Sequence, residues 1–142
     1  MWCRAARRLM RMLGRRGAIL LSYGTVWSLY GYGQLISPLR EQQPGLGLAL
    51  QLMPFTVWAV AWIVAGLLAV AAALLPQGVD WFGFVGLVLI VLPWTTSYLA
   101  SWLLGDFPRG WVAAAVWAAI AVPVIVVAGW REAPRPKRLE SY

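Results

Sequence analysis

The stretch MWCRAARRLMRMLGRRGAILLSYGTVWSLYGYGQLI, residues 1–36, holds the reading of the fold. Arg4, Arg7, Arg8, Arg11, Arg15 and Arg16 precede any acidic residue, and no charge follows from Gly17 to Ile36. A basic head before an uncharged run is the pattern of an inner-face anchor followed by a membrane span. A run of about 20 residues at about 1.5 Å each reaches about 30 Å, the thickness of the hydrocarbon layer. Within the head the arginines recur mostly every third or fourth residue, with Trp2, Ala5, Ala6, Leu9 and Leu13 on the other side. This spacing predicts a basic amphipathic helix over 1–16, lying in the headgroup plane with its six arginines on anionic lipid headgroups. The run of 17–36 is too long for a signal-peptide core and no A-x-A site follows it, so cleavage is not expected.

The rest of the composition agrees. In 142 residues, 61% are hydrophobic and 12% charged, more apolar surface than a soluble domain of this size can hide. The net charge of +7 sits in two terminal blocks beside apolar runs, which favours lipid headgroups over nucleic acid. There is no histidine, and Cys3 is the only cysteine, so an intrachain disulfide and a Cys/His metal site are excluded. No cofactor is expected.

Three further apolar runs predict spans at about 55–75, 82–104 and 111–130, giving an all-α membrane protein of four transmembrane helices over 17–130. Small residues mark two packing faces: Gly17, Gly24, Ser28 and Gly31 in the first span, and Ala61, Ala65, Ala69 and Ala73 in the second. The connection 37–54 carries Pro38, Pro44 and Pro54 and the apolar Leu46, Leu48, Leu50, Leu52 and Met53. It is predicted to rest on the bilayer surface, with a re-entrant path as the alternative. The 76–81 turn is short enough to make its two helices antiparallel neighbours. Pro93 predicts a kink in the third span, followed by Thr95, Thr96, Ser97 and Tyr98, the most polar patch within any span. The hydroxyls of Thr96 and Ser97 are expected to satisfy nearby backbone carbonyls; the competing reading is a substrate or ion path. The tail, 131–142, is basic, proline-containing and expected to be disordered on the cytoplasmic side.

Counting Lys and Arg orients the chain. Six lie in the head and four in the tail, against Arg40 and Arg109 on the opposite side. Both termini are therefore predicted to be cytoplasmic, in the cell membrane. Deep tryptophans Trp27, Trp94 and Trp117 are expected to pack the core.

Enzymatic chemistry finds little support. Glu41, Asp80, Asp106, Glu132 and Glu140 all lie outside the predicted spans. The small multidrug-resistance transporters share the size and span number but depend on a glutamate in the first span, which is missing here. There is no nucleophile–base pair and no phosphate-cradling glycine loop. Asp106 and Arg109 are expected to form a local surface pair.

Four stretches, Arg15-Arg16-Gly17-Ala18-Ile19-Leu20, Leu29-Tyr30-Gly31-Tyr32-Gly33, Leu92-Pro93-Trp94-Thr95-Thr96-Ser97-Tyr98 and Phe107-Pro108-Arg109-Gly110-Trp111, resemble small membrane proteins encoded by phages and prophages of actinobacteria. The resemblance implies a small membrane protein of a kind that usually carries no assigned activity, and it assigns no role to any residue. A holin-like protein that forms a homo-oligomer through its small-residue faces is the first expectation. The others are an accessory or scaffold subunit of a larger membrane complex, and a small oligomeric transporter or channel.

Overall fold

The computed structural model describes residues 2–37 and 44–130, with side chains from Gly14 onward. Regular structure among these residues is entirely helical: α1 (Trp2–Ile36), α2 (Gly47–Leu52), α3 (Phe55–Ala73), α4 (Trp81–Leu103) and α5 (Gly110–Gly129). The side chains of Arg4, Arg7, Arg8 and Arg11, and the tail 131–142, lie outside the described residues. Three helices, α3, α4 and α5, are long and apolar enough to cross a bilayer. Their bounds fall within two residues of the predicted spans, because Pro54, Pro76 and the Gly105–Arg109 turn leave little choice of helix end. The exposed tryptophans Trp81, Trp102, Trp111 and Trp130 sit at helix ends, where an amphipathic ring meets the membrane–water boundary.

The helical backbone of α1 is broken at Gly14, with φ 68° and ψ −177°. Glycine adopts that conformation without a Cβ penalty, so the basic head and the apolar run take different directions. From Arg15 onward α1 lies antiparallel along α3. Its small residues make this approach possible. A Cβ placed on Gly24 would stand 2.6 Å from the Gly66 carbonyl oxygen, and one on Gly31 would stand 2.5 Å from that of Ala59. Ser28 faces Gly66 as well, and its hydroxyl donates to the Gly24 carbonyl at 2.9 Å. Gly17 is buried. Backbone-on-backbone contact of this kind supplies van der Waals packing where lipid leaves no hydrophobic drive between helices.

The alanine row of α3 serves a different neighbour from the one facing α1. Ala65, Ala69 and Ala73 are buried and Ala61 is half-buried. The row meeting α1 is Ala59, Ile63, Gly66 and Val70, whereas Ala65, Ala69 and Ala72 turn to Gly83 and Gly86 of α4. Thus α3 is the central helix, with small residues on two faces. Close packing continues between α4 and α5, where Gly110 fits against Tyr98 and Trp102. Of the three spanning helices, α5 is the least buried.

Rings fill the centre. Trp62 is wholly buried and contacts Trp27, Tyr30, Trp94 and Trp117 at centroid distances of 4.9 to 5.7 Å. Trp58 meets Trp94 edge-on at 5.0 Å. Four of these five contacts are edge-to-face, a favourable arrangement for aromatic quadrupoles, and Trp62–Trp117 is tilted. The deep tryptophans therefore pack the core, as expected.

Candidate functional site

At one end of the bundle the structure corrects an expectation. Arg16, predicted to meet lipid headgroups, is only 8% exposed. Its Nε donates to Asp80 Oδ2 at 2.8 Å and its Nη2 to Oδ1 at 3.0 Å. Its Nη1 donates to the carbonyls of Val127 (3.2 Å), Ala128 (2.7 Å) and Trp130 (3.0 Å) at the end of α5. The guanidinium also lies over the Phe84 ring, 4.7 Å from its centroid. A planar fork of five N–H donors can join a carboxylate to the orphan carbonyls of a helix end; a headgroup offers no such fixed set. Arg15, one residue earlier, is exposed.

Asp80 occupies the position before α4 but makes no capping bond to it. Its carboxylate takes Arg16 and the backbone N–H of Gly78, at 3.1 Å. Burial pushes this carboxyl up, but the hydrogen bonds from Arg16 and Gly78 and the Arg16 charge outweigh it, holding the group below its ordinary value.

The opposite end holds the polar patch, and the structure divides it. Thr95 Oγ1 donates to the Val91 carbonyl at 3.1 Å, and Thr96 Oγ1 to those of Leu92 and Pro93 at 2.9 and 3.2 Å. These two hydroxyls bond carbonyls of their own helix at and just before Pro93, within the continuous run of α4. Ser97 does something else. Its hydroxyl donates to the Gly45 carbonyl at 2.9 Å and accepts the Ala49 N–H at 3.2 Å. Tyr98 packs against Gly45 and Phe107. The three hydroxyls of residues 95–97 are therefore engaged by backbone groups.

Ser97 thus anchors the described part of the connection between α1 and α3, residues 44–54, to α4, while residues 38–43 lie outside the described residues. Leu46 is 1% and Ala49 0% exposed. Trp58 Nε1 donates to the Ala49 carbonyl at 2.8 Å. The segment 45–50 is wedged between α3 and α4, while Leu48 and Leu52 stay exposed. The apolar alternation that suggested bilayer contact is divided, with Leu46 and Ala49 buried on protein and Leu48 and Leu52 exposed.

Between α2 and α4 lies a cleft of about 440 Å³, open on one side and lined by Gly45, Leu48, Leu50, Gln51, Ser101 and Asp106 among others. Asp106 and Arg109 form no ion pair, contrary to expectation: the tight turn directs Asp106 toward the cleft, whose lining excludes Arg109. Deeper in the core, the Nε1 atoms of Trp62 and Trp94 and both amide atoms of Gln34 are buried without a hydrogen-bond partner. The Tyr30 hydroxyl lies beside Gln34 and Trp94 without reaching good geometry with either. Among the described residues no group of three His, Cys, Asp or Glu side chains gathers to hold a metal. The sequence pointed to 93–98 but missed Asp80, Gly66, Gly83 and Ser101. A lone acid in a turn on the basic side was the available signal for Asp80.

Comparison with family models, with curated proteins and with solved structures finds no match.

Proposed function

We propose that this chain is a non-enzymatic, multi-pass protein of the cytoplasmic membrane, with α1 as a fourth span, acting as an accessory subunit of a larger membrane complex. The observation that carries the reading is the course of α1. Arg16 lies level with Asp80 and the end of α5, and Gly31 reaches Ala59 near the start of α3. The run over 15–36 is about 33 Å long at about 1.5 Å per residue, enough to cross. Its lower apolarity is offset by packing, since Gly24, Gly31, Tyr30 and Gln34 turn toward protein. The charge count supports both ends of the chain lying in the cytoplasm, with the basic head on anionic headgroups.

The accessory role is supported by where the small residues go. Gly24, Gly31, Ala65 and Ala69 are used within one protomer. A holin-like protein of the phage type, assembling with copies of itself through those faces, needs them free. An oligomeric transporter or channel with its path along 95–97 needs hydroxyls that are not already engaged by backbone.

The test is induced expression of the tagged chain in a bacterial host. The expected result is normal growth, an intact membrane potential and a partner retained at fixed stoichiometry after solubilisation. Growth arrest with collapse of the potential favours the holin-like reading instead. Labelling of either terminus from outside intact cells overturns the orientation.

A further inference from the structure

We infer that the cleft between α2 and α4 binds an amphiphile carrying a primary ammonium head, an inference that rests on the membrane reading above. At about 440 Å³ the cleft has the size of a small-ligand site. Three polar groups border it without partners among the described residues. The Asp106 carboxylate forms no ion pair and no side-chain hydrogen bond. The Ser101 side chain is more than nine-tenths buried, lines the cleft and makes no hydrogen bond through its hydroxyl. Gln51 adds an amide on the α2 side. Ser97, already engaged by backbone, also lines the cleft, and the apolar part of the wall comes from Leu48, Leu50, Ala100 and Leu104.

These groups select a ligand chemistry. A carboxylate, a hydroxyl oxygen and an amide oxygen all accept hydrogen bonds, and a primary ammonium offers three donors and a compensating charge. A quaternary ammonium has no N–H to give, and an anionic head is repelled by Asp106. The apolar wall suits an attached hydrocarbon chain. Asp106 lies in the turn between α4 and α5 while Leu48 and Leu104 are exposed, so on the membrane reading a head at Asp106 leaves its chain in the bilayer. Two sources share this chemistry: an aminophospholipid of the bilayer and a free long-chain amine.

Native mass spectrometry on the purified full chain tests the inference. The protein is equilibrated with phosphatidylethanolamine, phosphatidylcholine, phosphatidylglycerol or dodecylammonium. Preferential retention of phosphatidylethanolamine identifies the bilayer source, and retention of dodecylammonium without it identifies the free amine. In either case Asp106→Asn is expected to weaken binding about tenfold, the loss of one charge-assisted hydrogen bond. Asp106→Glu should keep most of the affinity, and Ser101→Leu should occlude the cleft and abolish binding. The Asp106 side chain holds nothing within the fold, so circular dichroism and thermal unfolding should not change in Asp106→Asn. Equal retention of all four amphiphiles, or retention untouched by Asp106→Asn, overturns the site. Neither result bears on growth or partner retention, so failure of the site is distinguishable from failure of the accessory reading.

Discussion

Arg16 and Asp80, 64 positions apart, are joined by two parallel hydrogen bonds of 2.8 and 3.0 Å at one end of the helix bundle. The same guanidinium holds the last carbonyls of α5, so one side chain fixes the relative height of three helices.

Removing one partner should therefore be costly. Arg16→Ala leaves a buried carboxylate unpaired and is expected to destabilise the protein by about 3–5 kcal/mol. Replacing both, as Arg16→Met with Asp80→Leu, should recover a large part of that loss. Chemical unfolding in detergent, analysed as a double-mutant cycle, measures the coupling.

Stability should also fall in acid. The folded Asp80 carboxyl titrates below its unfolded value: burial raises it, but the Arg16 and Gly78 bonds and the Arg16 charge more than compensate. Its contribution is therefore complete above the unfolded value of about 3.9 and is lost as pH falls through the lower, folded value. Thermal unfolding between about pH 5 and pH 2 should show this loss in the wild type. Asp80→Asn should be less stable at neutral pH and show a weaker acid dependence over the same window.

Close approach of α1 and α3 predicts intolerance of any larger residue. A Cβ on Gly24 would meet the Gly66 carbonyl at 2.6 Å, a backbone atom that cannot swing aside. Gly24→Val should cost about 1–3 kcal/mol or more, as overpacking does. Gly33→Val, at a position with open space around it, is the control and should change stability far less. Melting temperatures of the two variants in one detergent decide the matter.

Ser97 should act locally. Ser97→Ala removes the bonds to Gly45 and Ala49 and is expected to cost about 1–3 kcal/mol. Hydrogen exchange should show the Ala49 amide losing protection while α3 amides keep theirs. Equal loss across both segments would speak against a local anchor.

The helical class and the three strongly apolar rods were legible from residue order, because long uncharged runs bounded by proline and glycine admit few alternatives. The first helix was harder to classify. Tyr23, Tyr30 and Gln34 lower its apolarity, and their destination is set by neighbours far along the chain. Gly24 and Gly31 were recognisable as packing residues from their heptad spacing. Their partner was not, since the α3 row they meet is one position set away from the more conspicuous Ala61–Ala65–Ala69–Ala73 series. The hydroxyls of 95–97 looked alike, and their division depended on where a separate segment folded back.

Local sequence settled which runs are helical and apolar, because helix formation and lipid compatibility are properties of a stretch. It also placed the small residues where backbones can meet. Only the assembled bundle settled that Arg16 turns inward, that 45–50 wedges between α3 and α4, and that Ser101 borders a cleft. Those outcomes arise from contacts between distant segments, where an arginine finds a carboxylate and three carbonyls at the end of α5 in fixed geometry and exchanges solvent for them.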